Sequence, residues 1–202
     1  MSSRNIKKKK QAKRKRRKRF IRFIMTLMVI FAALIGIVLF IKRDNIMRMK
    51  YSIEYDEYVQ KYAKKYDLDP LFLHAVIYVE SDHKADAVSH RGAIGLMQIM
   101  DETGYWISEN LDMEDFDSEM LYDPETNIAM GTWLLDYLIE EYNENEDTAL
   151  AAYNGGIGNV NEWLESNEYS SDGISLDHIP FKETEEYVVR INKAYERYKQ
   201  LY

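Results

Sequence analysis

The chain has 202 residues, enough for a membrane or tail segment plus one domain of ordinary size. Its net charge of −7 conceals two unlike parts: residues 1–43 hold 15 Lys/Arg and no acid, which leaves 12 basic against all 34 acidic residues, a formal balance of −22, over residues 44–202. So acidic a domain argues against binding nucleic acid, because the phosphate contribution would be repulsive, and the lack of cysteine excludes disulfides, thiolate metal sites and a cysteine nucleophile.

Thirteen Lys/Arg lie between Arg4 and Arg22, and residues 1–22 are expected to form a basic cytoplasmic tail. From Phe23 to Ile41 no residue is charged, and a helix of that length reaches about 28 Å, close to the hydrocarbon thickness of a bilayer. Only Lys42 and Arg43 follow closely, so the positive-inside asymmetry puts the N-terminus in the cytoplasm and the acidic domain outside. A cleaved signal peptide is the competing reading. The apolar run is long for one, however, and Lys42-Arg43-Asp44-Asn45 stands where a small-residue cleavage site belongs, so residues 23–41 are expected to be an uncleaved anchor.

Residues 42–54 are expected to be a juxtamembrane linker or helix, and 55–202 the domain. Across Asp44 to Tyr66, Tyr51, Tyr55, Tyr58, Tyr62 and Tyr66 recur at three- and four-residue steps, which predicts an amphipathic helix with a packing stripe. Asp69-Pro70 is a helix start, a capping acid followed by proline at the first helical position. The helix it opens is apolar nearly all round from Leu71 to Val79 and therefore buried, and it carries Glu80 at its C-terminal end. A carboxylate brought in that way is costly unless paired, hydrogen-bonded or functional. After a loop at Asp82 to His90, Leu96 to Met100 and Asp101 to Leu111 read as helical, with Tyr105 and Trp106 suited equally to core packing and sugar stacking. Asp123-Pro124 starts another helix, running to about Tyr142. Thr148 to Tyr153 is a short helix closed by Gly155-Gly156, Val160 to Leu164 another, Asn167 to His178 a flexible acidic loop, and Glu183 to Tyr202 the last helix. No stretch alternates convincingly with period two, so the domain is mainly α.

No glycine-rich phosphate loop follows a strand, and His74, His83, His90 and His178 have no metal-ligand spacing with carboxylates, so neither a metal nor another cofactor is expected. What remains is Glu80 with Ser81, Ser89, Gln98, Tyr153, Asn154 and Tyr187 in a few short stretches. Such a set suits glycosidic-bond cleavage, which needs a carboxylic acid still protonated near neutral pH. Apolar neighbours would raise the pKa of Glu80 in that direction.

Five blocks carry a resemblance: Glu80-Ser81; Ala87 to Met100 with Ser89, Gly92, Gly95 and Gln98; Asp123 to Ile128; Ala151 to Val160 with Tyr153 and Asn154; and Ile179 to Val188 with Tyr187. Together, and in this order, they resemble the soluble lytic transglycosylase (SLT) domain family over about Tyr55 to Tyr198. The resemblance implies a goose-type-lysozyme-like helical fold and cleavage of peptidoglycan glycan strands. It implies one catalytic acid, Glu80, which protonates the oxygen between N-acetylmuramic acid and N-acetylglucosamine. The resulting carboxylate then deprotonates the muramoyl 6-hydroxyl, closing a 1,6-anhydro ring without water. It also implies that Ser81 and Ser89 contact Glu80 or the sugar, that Gln98, Tyr153 and Asn154 line the cleft, and that Tyr187 orients the acid. Asp101, Gly155 and Glu185-Glu186 depart from the usual pattern and bear on subsite preference. Two other functions fit the residues. A hydrolytic muramidase would need a second carboxylate or an ordered water, with Asp86 and Glu102 as candidates and Asp82 turned away. A non-catalytic membrane-anchored peptidoglycan-binding module would not need Glu80.

Overall fold

The computed structural model describes the backbone of residues 3–202 and the side chains of residues 13–202. Part of the basic tail, residues 1–2 with the side chains of 3–12, thus lies outside the described residues. The chain divides into two units, residues 1–50 and 51–202. The first is a helix, α1 (Ser3–Lys50), whose side chains from Phe23 to Ile41 are all exposed within it. By length and composition it can cross a membrane.

The second unit holds α2 (Asp56–Lys65), α3 (Pro70–Ser81), α4 (Asp101–Asn110), a 3₁₀ helix η1 (Ser118–Tyr122), α5 (Pro124–Glu141), α6 (Glu146–Gly155), α7 (Ile157–Leu164) and α8 (Lys182–Leu201). Both Asp-Pro starts form as the sequence predicts. Asp69 accepts a hydrogen bond from the Leu71 amide and Asp123 from the Thr126 amide, each satisfying a donor the helix itself cannot pair. α3 is the buried centre, with Phe72, Leu73, Ala75, Val76 and Ile77 all at most 2 % exposed. It packs most extensively on α8, whose buried side chains include Tyr187, Val188, Ile191, Ala194 and Tyr198, while α6 packs on both α5 and α8. Full burial of such side chains stabilises by about 1.5 to 3 kcal/mol each, which fixes where α3 ends and therefore where Glu80 stands.

Two predicted helices differ. The Asp44 to Tyr66 helix is interrupted: residues 51–55 leave helical geometry, and Tyr55 is left-handed at φ 60°. The reason is tertiary, since Tyr51 packs its ring 4.8 Å from that of Tyr78 and 5.6 Å from that of Tyr198. The Tyr198 hydroxyl also donates to the Ser52 carbonyl. Leu96 to Met100 is not helical either. It folds back on itself through an isolated bridge between Ile94 and Ile99, with Gln98 left-handed at φ 50°. A second isolated bridge joins Val88 and Ile94, and η1 was not anticipated from the sequence. His74 and His83 are core residues, bonded at Nε2 to Asp56 (3.1 Å) and Tyr198 (3.0 Å) respectively.

Candidate functional site

The last turn of α3 brings Glu80 to a cavity of about 480 Å³ lined also by Ser89, Gln98, Tyr153, Asn154 and Tyr187. Six of the seven residues expected from the sequence thus share one cavity although they come from four separate stretches. Ser81 is the exception. One step further round the helix, it is buried, and its hydroxyl donates to the Ile77 carbonyl at 3.2 Å.

Glu80 reaches solvent only partly, through the cavity, and its carboxyl accepts a 2.5 Å hydrogen bond from the Tyr187 hydroxyl of α8. Burial disfavours its charged form and pushes its pKa up to about 7, opposed by the Tyr187 hydrogen bond and by the positive charge of Arg190. Tyr187 (1 % exposed) and Tyr153 are both held well above the ordinary tyrosine range, by burial first and by the nearby Glu80 second, so both remain hydroxyl donors. An acid that titrates near neutrality can give up a proton and accept one back in the same cycle.

The opposite wall is a tight loop whose shape depends on residues far away in sequence. Gly95 donates to the Ala87 carbonyl (2.9 Å), the Gln98 carboxamide donates to the carbonyls of Ala87 (3.2 Å) and Gly95 (2.9 Å), and the Ala93 amide donates to the Ser89 hydroxyl (3.0 Å). Asn127, fully buried on α5, clamps the loop from beneath. It accepts from the Met97 amide at 2.7 Å and donates to the carbonyls of Ile94 and Leu121, both at 2.9 Å. Gly95, at φ 81°, is required there: a Cβ would lie 2.2 Å from the Asn127 carboxamide nitrogen and 2.4 Å from the Leu121 carbonyl oxygen. Tyr153 closes the arrangement by donating to the Met97 carbonyl at 2.7 Å, and Asn154 accepts from the Thr184 hydroxyl at 3.0 Å.

Sequence reasoning missed Arg91, Glu183 and Arg190, which line the same cavity. Glu183, Tyr187 and Arg190 are spaced i, i+4, i+7 on α8, one helical stripe, and that spacing was the available signal. Asn127 was also given no role, although it lies in one of the quoted blocks. Of the carboxylates weighed for a hydrolytic reaction, Glu102 lines a neighbouring cavity and Asp86 lines neither; Glu183 is the second carboxylate at the Glu80 cavity. Tyr105 is half exposed with its edge toward Phe116, whereas Trp106 lines the neighbouring cavity and meets Trp133 and Tyr137 edge-on.

A family model described as a transglycosylase SLT domain matches residues 57–174. The soluble lytic murein transglycosylase of Salmonella typhimurium is 32% identical over 151 residues, 74% of this chain and 23% of that protein. The membrane-bound lytic murein transglycosylase C of Actinobacillus pleuropneumoniae is 30% identical over 167 residues, 72% of this chain and 46% of that protein. Among solved structures, the 70 kDa soluble lytic transglycosylase of Escherichia coli superposes with a TM-score of 0.67 at 28% identity, covering 76% of this chain and 25% of that one. The chain therefore spans about a quarter of the length of its soluble relatives and under half of the membrane-bound one.

Proposed function

Because this chain belongs to the transglycosylase SLT domain family, we propose that it is a peptidoglycan lytic transglycosylase in which Glu80 is the single general acid and base. The observation that carries this reading is the Glu80 carboxyl at the cavity, held by Tyr187 and with its pKa raised to about 7. At neutral pH a large share of the molecules hold the proton that the leaving oxygen needs. In the first step the C1–O4 bond between N-acetylmuramic acid and N-acetylglucosamine breaks as the Glu80 proton passes to O4. In the second, the 6-hydroxyl of the muramoyl unit attacks C1 and its proton returns to Glu80. The products add up to the mass of the substrate, and the enzyme ends protonated as it began. The Tyr187 hydroxyl and the Arg190 charge stabilise the carboxylate between the two steps.

Residues 23–41 are proposed as a membrane anchor, with the tail 1–22 cytoplasmic, 42–54 juxtamembrane and 55–202 catalytic on the cell-wall side, confining cleavage to strands near the membrane. Support comes from the length and apolar composition of α1 and from the likeness to proteins named membrane-bound lytic transglycosylases.

The test is the full chain in detergent, incubated with purified peptidoglycan beside its Glu80→Gln variant, with products identified by mass spectrometry. Anhydromuramoyl ends from the wild type and none from the variant are expected. Reducing ends one water heavier would replace the proposal by a hydrolytic muramidase, for which Glu183 is the carboxylate placed at the same cavity. Strands bound but left intact by the folded wild type would leave a binding module.

A further inference from the structure

Two adjacent residues of α6 each join the Glu80 cavity to a different neighbouring one, and these form its two flanks. Tyr153 is shared with a cavity of about 300 Å³ walled by Trp106, Leu134, Leu138 and Ile157. Asn154 is shared with a different one, of about 430 Å³, walled by Arg91, Gly155, Asn159, Lys182 and Glu183. The first flank is mainly apolar and aromatic, with Glu102 and Thr103 as its polar groups and no cation; the second adds Pro180 and Phe181 to polar groups and carries two cations. Those cations stand out against the rest of the domain, because no Lys or Arg occurs in the ninety residues from Gly92 to Phe181. The one that precedes this gap and the one that follows it converge on the same cavity, from the loop and from the start of α8. Arg91 and Glu183, at 3.4 Å, line both this flank and the Glu80 cavity, so their pair stands at the junction of the two. Lys182 lies 3.6 Å from Glu186. All four side chains are more than half exposed, and ion pairs of that kind are weak enough to exchange for a competing anion.

N-acetylated amino-sugar rings joined through glycosidic bonds are neutral, because the amide nitrogen does not ionise, and have no use for two cations. The ionised groups of a peptidoglycan strand are on its peptides. We infer that the flank built from Arg91 and Lys182 binds a carboxylate of the peptide attached to the glycan, with Arg91 releasing Glu183 to take it. Arginine can engage both carboxylate oxygens at once, which a lysine at the same place cannot. Gly155 lines this flank, and a Cβ there would stand 3.3 Å from Thr184, which lines it too. The inference rests on the reading that peptide-bearing glycan strands occupy the Glu80 cavity.

Binding is measured by calorimetry on the full-length Glu80→Gln chain in detergent, which prevents turnover. The probes are a tetrasaccharide carrying peptides with free carboxyl groups and the same molecule after amidation of those groups. The free-carboxyl probe is expected to bind about tenfold more tightly. That preference should disappear in Arg91→Ala/Lys182→Ala, while affinity for the amidated probe stays within about twofold and so reports an intact fold. Arg91→Lys should recover only part of the preference. A preference that survives the double substitution, or that is absent from the parent, overturns the inference. Strand cleavage by the chain with native Glu80 is followed separately. A carboxylate preference that depends on Arg91 in a protein that cleaves nothing would keep this inference and remove the proposed reaction; cleavage without any carboxylate preference would do the reverse.

Discussion

Replacing Glu80 by Gln should stabilise the domain in alkaline solution and do little in acid. Glu80 has an ordinary pKa of 4.5 when unfolded and one of about 7 in the fold, so between these values the folded chain binds more protons than the unfolded one. Stability contributed by the protonated carboxyl is therefore lost as the pH rises from about 4.5 to 7, and above 7 the full cost of a buried carboxylate is present. One pKa unit corresponds to about 1.4 kcal/mol, so wild type carries a cost of about 3 kcal/mol at pH 8 and under about 1 kcal/mol at pH 5. Glutamine imitates the protonated acid and carries none of it. Relative to wild type, the variant should gain about 2 to 3 kcal/mol more at pH 8 than at pH 5, or about 5 to 10 °C in melting temperature for a domain of this size. Any fixed difference in the Tyr187 hydrogen bond cancels in that comparison. All three tryptophans, Trp106, Trp133 and Trp163, lie within residues 51–202, so fluorescence-detected unfolding of the full chain reports on the relevant unit. An equal shift at both pH values would refute the assignment of a raised pKa to Glu80.

Tyr187→Phe removes the hydroxyl that favours the Glu80 carboxylate, so the alkaline limb of the pH–rate profile should move up by about one unit while the rate falls about tenfold. An unmoved limb would leave Tyr187 a packing residue. Asn127→Ala empties three buried hydrogen bonds and should cost about 3 kcal/mol, read as a lowered denaturation midpoint, and should slow cleavage by loosening the 94–97 turn. Gly92→Ala and Gly95→Ala separate backbone conformation from crowding. Both glycines have positive φ, but a Cβ at Gly92 meets open space. The first should cost about 1 kcal/mol and the second at least twice that, and equal losses in urea denaturation would contradict the clamp by Asn127.

The parts of the fold that the sequence made legible are those decided by neighbours in the chain. Asp69-Pro70 and Asp123-Pro124 cap their helices through amides two or three residues on, so their local spacing was enough. The five blocks, read in order, pointed to the mainly helical, lysozyme-like SLT fold that the superposition on the Escherichia coli enzyme also supports. Where a distant residue decides, local reading failed. The tyrosine period continues straight across residues 51–55, yet Tyr198, some 146 residues away, holds the Ser52 carbonyl out of helical register. The segment from Leu96 to Met100 has helical composition but is bent by Asn127 thirty residues on. Glu80 stood out because an acid at the end of an apolar helix breaks a local pattern. Arg91, Glu183 and Arg190 did not, because exposed charges resemble any solvated surface until folding gathers them at one cavity. Ser81 shows the converse: its place beside Glu80 in sequence suggested a shared role, while one further step round the helix turned it to the Ile77 carbonyl.

The hydrogen bond between Tyr187 and Glu80 joins residues 107 positions apart, and α8 is synthesised after every other element of the domain. A ribosome has therefore made the acid, the loop opposite it and the clamp beneath that loop well before it makes the tyrosine that sets the acid. If Glu80 is the acid proposed above, readiness for chemistry waits for α8, and a chain halted before residue 187 would carry Glu80 to its destination without the hydroxyl that donates to it.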